Sequence, residues 1–226
     1  MPKQERGQKT LNRVLRRAVQ LASVDGLEGV TIGRLAEATG MSKGGLFAHF
    51  GSKEQLQLAI VEEARRIFAD KVIAPSERIE AGLPRVMAMQ SNWIDYVKGD
   101  SFRGGCFFAA ASAEFDGRPG PVRTKLASLT GFWRHRLEEE VQRGIEIGHF
   151  RSETVAARLA FALHAYVQEA NWAYQLLGDV DAFEQARRES ESRVRRDATT
   201  DGLRSVKSHR VVPAKVSLGE RREAVG

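Results

Sequence analysis

The chain has 226 residues, 42% of them hydrophobic and 28% charged, with a net charge of +6 and a single cysteine. That length and composition suit a folded globular protein with one sizeable body and a small appended module, and argue against a disordered chain. Cys106 alone excludes an intramolecular disulfide framework and a multi-cysteine metal site.

The N-terminus, beginning Met1-Pro2-Lys3-Gln4, has no apolar run resembling a signal peptide. No stretch approaches the ~18 apolar residues of a membrane span, so the expected location is the cytoplasm. The basic charge is concentrated. Lys3, Arg6, Lys9, Arg13, Arg16, Arg17, Arg34, Lys43 and Lys53 face only Glu5, Asp25, Glu28 and Glu37 over the first 53 residues. Most of the net charge therefore lies in the first quarter of the chain, which suits an anionic partner.

In chain order the pattern is helical throughout, and the expected fold class is all-α. Residues 10–24 place Leu11, Val14, Leu15, Ala18 and Ala22 on one face and Arg13, Arg16, Arg17 and Gln20 opposite, with Gly26 as the stop. Thr31 reads as the N-cap of a short second helix ending near Gly40. A third helix is expected at about 43–49. Ser52, with Gln55 three residues later, opens a fourth that should run to about Ala74 and end at Pro75. Further helices are expected at about 77–98, 103–115, 121–147, 153–177 and 180–196, with an irregular, flexible tail from Ala198. These readings divide the chain into an N-terminal helical unit at 1–53, a larger helical domain at 54–197 joined to it by the helix 53–74, and the tail 198–226.

Residues 31–53 carry the most information. Ala36 and Gly40 supply the close approach and the sharp turn that two steeply crossing helices need, and Leu35, Met41, Leu46 and Phe50 supply the packing. The third helix then presents Ser42, Lys43, Gly44 and Gly45 at its start, where a recognition helix meets base edges in a major groove. Thr31 and Lys53, at helix starts, are placed to hold phosphates, and His49 can donate to another.

The series Thr31, Leu35-Ala36, Gly40-Met41-Ser42-Lys43-Gly44, Leu46-Phe47, His49-Phe50, Ser52-Lys53-Glu54 and Leu56 resembles the signature of the tetracycline-repressor (TetR) family over about residues 10–60. The resemblance implies a three-helix DNA-binding domain, a helical ligand-binding and dimerisation domain, operator DNA as partner, and release by a small molecule. It carries DNA contacts over to Thr31, Ser42, Lys43, Gly44, Gly45, His49 and Lys53. Phe47 departs from it: the family usually has tyrosine there, so a phosphate-contacting hydroxyl is missing and packing or thymine-methyl contact is what remains.

In the helix 153–177, Leu159, Leu163, Tyr166, Val167, Ala170 and Tyr174 share one face, while Phe161, Ala165, Trp172 and Leu176 lie off it. A helix apolar on two sides is buried on two sides, so this helix and the next, 180–196, are expected to form a homodimer's four-helix interface. Trp93, Phe102, Cys106, Phe107, Trp133, His164, Tyr166 and Trp172 are candidates to line a cavity for a small, largely apolar effector, with Phe108, Phe132 and His135 in a wider set. Cys106 reads as a buried apolar residue rather than a redox sensor.

No phosphate-binding glycine loop, nucleophile elbow or His-Glu metal motif is present, so neither an enzyme nor a cofactor is expected. The consecutive Glu138, Glu139 and Glu140 read as solvated surface. The competing class is an all-helical dimeric ligand-binding or interaction protein without functional DNA binding, because the reading surface is poor in side-chain donors.

Overall fold

The computed structural model describes residues 3–99 and 101–208. The chain forms α1 (Lys3–Asp25), α2 (Ile32–Thr39), α3 (Lys43–Phe50), α4 (Lys53–Phe68), α5 (Ala74–Glu77), α6 (Leu83–Lys98), α7 (Phe107–Phe115), α8 (Pro121–Glu146), α9 (Ala156–Trp172), α10 (Ala182–Asp197) and α11 (Thr200–Ser208). Wide π-helical turns at Ala69–Ile73 and Ala173–Leu177 extend α4 and α9. Among the described residues there is no strand, only an isolated bridge between Phe150 and Ala198. None of their helices is long and apolar enough to cross a membrane.

The first three helices form for local reasons. Thr31 Oγ1 accepts from the N–H of Arg34 at 3.2 Å, Ser42 Oγ from Gly45 at 3.1 Å and Ser52 Oγ from Gln55 at 3.1 Å, so α2, α3 and α4 each start on a side-chain cap. Gly40, at φ 67°, takes the left-handed turn between α2 and α3. Val14, Ala18 and Ala22 of α1 are buried together with Leu35, Leu46 and Phe50 in the core of this unit.

Below it, α6 lies inside the larger body, and α9 buries one face in it. α9 packs against α8 and α10, and α6 against α8, α10 and α11. Leu137, Val141, Leu159, Leu163 and Val167 have almost no solvent contact.

Four expectations are corrected. Pro75 does not end the fourth helix: the π-helical turn Ala69–Ile73 widens the backbone just before it, and helical geometry resumes through Glu77. A widened turn relieves the clash of the proline ring with the preceding turn. α6 starts at Leu83 rather than near 77, after a turn that needs Gly82 at φ 84°.

Glu140 is buried, not solvated. It accepts from Gly82 N–H at 2.6 Å and pairs with Arg85 at 3.2 Å, because its position on α8 faces α6. Lastly, Thr200–Ser208 is helical rather than irregular. Thr199 Oγ1 accepts from Gly202 N–H, and Leu203 and Val206 pack on the core. The rest of the expected tail, 209–226, lies outside the described residues.

Candidate nucleic-acid interface and effector cavity

The exposed side of the N-terminal unit is built by α3. Leu46 and Phe50 turn inward, which leaves Ser42, Lys43, Gly44, Phe47 and His49 exposed on the outer side, Phe47 at 57%. Two hydroxyls singled out from the sequence have structural work as well. Ser42 and Thr31 use oxygen lone pairs to cap α3 and α2, and a capping hydroxyl still has its O–H as a donor.

A methyl placed on Gly33 would lie 3.6 Å from Lys43 Cε, 3.8 Å from its Nζ and 3.8 Å from Thr31 Oγ1. Lys43 and Thr31 thus both lie beside Gly33 of α2. Gly45 is tight against Ser42 Oγ at 3.1 Å, whereas a Cβ on Gly44 meets nothing within 4 Å. Gly44 thus leaves a bare stretch of backbone at the start of α3.

Lys53 is not a free cation. Its ammonium pairs with Glu28, which also accepts from Gln57 Nε2 at 3.0 Å and faces Arg118 at 3.6 Å. The hydrogen bonds from Lys53 and Gln57 outweigh partial burial and hold the Glu28 carboxyl below its ordinary value. No local sequence pattern signals this tether, which needs a partner 25 residues away.

The same region is docked on the lower body. Glu114 of α7 accepts from the N–H groups of Leu27 at 2.7 Å and Glu28 at 2.8 Å, and Gln20 donates to the carbonyl of Ser101 at 2.6 Å. Gly104 lies so close that a Cβ there would sit 1.6 Å from the carbonyl oxygen of Ser23.

A cavity of about 70 Å³ lies between α4, α6, α8 and α9. Trp93, Cys106, Trp133 and His164 line it, four of the eight residues expected there. Phe102 and Phe107 instead pack in the buried aromatic cluster with Tyr96 and Phe108. Tyr166 is half-buried without lining the cavity, and Trp172 is half exposed on the outer surface. From the wider set, Phe108 and Phe132 do line it, whereas His135 faces solvent beside Glu139.

Sequence reasoning missed Arg65, Phe68 and Ile73, because they arise from α4 and its π-helical turn, the connector between the two units. Phe68 meets Trp133 edge to face at 4.9 Å, and Trp93 meets Trp133 at 5.5 Å. Burial, helped by Arg134, lowers the His164 imidazole to about 4, so it is neutral at pH 7. Burial raises the Cys106 thiol, the opposite of what a reactive thiolate needs. A larger groove of about 330 Å³ runs between α6, α10 and α11, and none of the aromatic residues singled out from the sequence lines it.

With this geometry in hand, comparison with known proteins decides the family. Residues 14–60 match the family described as bacterial regulatory proteins, tetR family, and residues 82–190 match the tetracyclin repressor-like C-terminal domain. The chain belongs to the TetR family. A TetR regulator from Chloroflexus aurantiacus superposes with a TM-score of 0.79 at 27% identity, over 86% of this chain and 98% of that one. A TetR-family regulator from Cytophaga hutchinsonii shares the fold with a TM-score of 0.77 at 20% identity, over 88% and 98% of the two chains.

Among curated proteins, the HTH-type transcriptional repressor AcnR of Corynebacterium efficiens is 40% identical over 84 residues, 36% of this chain and 42% of that protein. AcnR of Corynebacterium glutamicum is 47% identical over 62 residues, 27% of this chain and 30% of that protein. The chain thus spans less than half the length of these two relatives.

A second exposed surface, apolar in character, lies on α9. Leu159, Leu163, Val167 and Ala170 are buried in the chain's own core. Phe161, Trp172 and Leu176 stand 63%, 50% and 67% exposed on the outer side. Phe132 of α8 and Leu177 and Val180 after α9 are further exposed apolar residues. α10 is different: Ala182, Phe183, Ala186 and Val194 all face inward, and Glu184, Arg188, Glu189 and Arg195 face solvent.

Proposed function

We propose that this chain is a dimeric, sequence-specific DNA-binding repressor that a small, largely apolar effector releases from its operator. The observation that carries the reading is the exposed start of α3, where the backbone of Gly44 is uncovered and Lys43 lies, like Thr31, beside Gly33 of α2. A helix start offers backbone N–H groups and positive dipole to a phosphate, and Lys43 adds a full charge. Base reading rests on few side chains, chiefly Ser42 and Lys43, with Gly44 allowing the helix to sit close to the groove and DNA shape supplying the rest. Phe47 offers an apolar edge to a thymine methyl, His49 a further donor, and Gly45 its backbone N–H. Lys53 reaches a phosphate on exchanging Glu28 for it.

Two copies meet through the outer stripe of α9. The exposed apolar side chains favour α8 as its partner helix, in place of the α10 expected from sequence, since the outward face of α10 is charged. Such a dimer sets its two reading heads for major grooves about 34–36 Å apart or a multiple of that distance. The setting is the cytoplasm, where the DNA is.

The effector occupies the cavity at Trp93, Cys106, Trp133 and His164. Cys106 at its wall donates its backbone N–H to Asn171 at 3.0 Å, and the adjoining 101–105 loop holds α1 through Gln20. A ligand that prefers a different position of this loop moves α1, alters head spacing and shifts the population away from the DNA-competent state. AibR, of the same fold at 23% identity and TM-score 0.62, is described in complex with isovaleryl coenzyme A and operator DNA, so this fold can hold a ligand and DNA together.

Selection from a random duplex pool, followed by binding at increasing salt, tests the reading. A repressor enriches a two-fold related sequence, and its log affinity falls linearly with log salt. Failure to enrich any sequence would reject the reading in favour of a ligand-binding dimer without DNA function.

A further inference from the structure

The cavity carries a chemical bias that its mostly apolar walls conceal. Trp93 and Trp133 are 98% and 94% buried, and the indole N–H of each has no hydrogen-bond partner. The hydroxyl of Thr130, on the same wall, is also buried and unpartnered. Half of the unpartnered buried side-chain atoms among the described residues thus belong to residues lining this one cavity.

An indole N–H is a donor and nothing else, and a buried donor without a partner is costly. The two rings come from different helices, α6 and α8, and stand 5.5 Å apart at 76°. The rings touch edge to face, so a ligand does not enter between them; it lies beside the pair, in the cavity that both residues line. No carboxylate lines the cavity; Arg65 does, its guanidinium paired with Glu62 at 2.6 Å, and the His164 imidazole is uncharged at pH 7.

From these observations we infer that the effector is an apolar, planar molecule bearing a carbonyl-type hydrogen-bond acceptor and no cationic group, its acceptor paired with the indole N–H groups of Trp93 and Trp133. The inference rests on the proposed effector cavity and names what that cavity selects. Phe68 and Phe108 receive the planar body. Donors set in an otherwise apolar pocket reject an analogue that lacks the matching acceptor more strongly than one that differs by a methyl group.

A matched set of probes tests this on the full-length protein: acetophenone, ethylbenzene and 1-phenylethylamine, which share a skeleton and differ in acceptor and charge. The indole N–H resonances of Trp93, Trp133 and Trp172 are followed by nitrogen-15 NMR and identified through Trp93→Phe, Trp133→Phe and Trp172→Phe. Acetophenone is expected to move the Trp93 and Trp133 resonances downfield, leave Trp172 in place, and bind about five- to tenfold tighter than ethylbenzene. The protonated amine is expected to bind weakest.

Equal binding of ethylbenzene and acetophenone in the cavity would overturn the acceptor pairing and leave the cavity's role standing. Strongest binding by the amine would overturn the charge preference. No perturbation of either buried indole by any probe would overturn the cavity itself as a ligand site. Thr130→Val, which keeps both indoles and the packing volume, guards against loss of folding in the tryptophan variants. It is expected to retain the preference for acetophenone, and loss of that preference would shift the pairing from the indoles to the hydroxyl.

Discussion

Gly44→Ala separates a reading surface from a packing unit because its two effects should have opposite signs. Gly44 is the second residue of α3, it is exposed, its φ is not in the left-handed region, and a Cβ there meets nothing within 4 Å. Alanine at such a site restricts the unfolded chain without straining the folded one, and adds about 0.5–1 kcal/mol of stability. For a chain of this size that is a rise in Tm of about 1–4 °C. The same methyl projects from the turn proposed to lie in the groove, where it holds the backbone off the bases. Operator affinity is expected to fall about tenfold, or ~1.4 kcal/mol, and further with Gly44→Leu.

Calorimetry and fluorescence anisotropy on the selected operator measure the two halves. Gly45→Ala is the comparator. Its Cβ would meet Ser42 Oγ at 3.1 Å, so disturbance of the α3 cap should cancel the gain in Tm. A raised Tm with unchanged affinity for both Gly44→Ala and Gly44→Leu would refute the assignment of α3 as the reading helix.

Glu28→Gln should release Lys53 and raise affinity for DNA, whereas Lys53→Gln should lower the salt slope by about one phosphate's worth. Because the Glu28 carboxyl sits below its ordinary value of 4.5, the stability it contributes is present above that pH and lost as pH falls through the lower folded value. The difference between wild type and Glu28→Gln in urea melts should therefore shrink in that window and stay flat above it. For His164 the folded value is lowered from 6.5 to about 4, so the unfolded chain takes up the proton first. Wild type should lose stability relative to His164→Gln as pH falls from 6.5 to about 4, with no difference in trend above. Phe161→Glu, on the exposed stripe of α9, should yield a monomer by sedimentation with little change in secondary structure, and a dimer of unchanged affinity would remove α9 from the interface. Gly104→Ala, whose methyl would press on the Ser23 carbonyl, should cost about 1–3 kcal/mol in denaturant melts and loosen α1 from the lower body.

What the sequence determined by itself is local. The caps at Thr31, Ser42 and Ser52 and the left-handed turn at Gly40 depend on residues within three positions of one another. That is why α2, α3 and the start of α4 were legible, and with them the motif that shows the family. The two-sided apolar pattern of α9 was legible for the same reason, since a helix repeats its faces every 3.6 residues whatever surrounds it.

What lay outside sequence reading needs partners distant along the chain. Glu28 tethers Lys53 across 25 residues, Glu114 caps Leu27 across 87, and Glu140 is buried by a turn 58 residues earlier. The π-helical turn at Ala69–Ile73 and the short α11, whose two apolar residues Leu203 and Val206 make too brief a pattern, emerge only once packing is known. The cavity is the clearest case. Aromatic residues at helical spacing read alike whether they fill a core or border a space, and only the tertiary arrangement separates Trp93 and Trp133, whose indole N–H groups remain unpartnered, from Phe102 and Phe107, which simply pack.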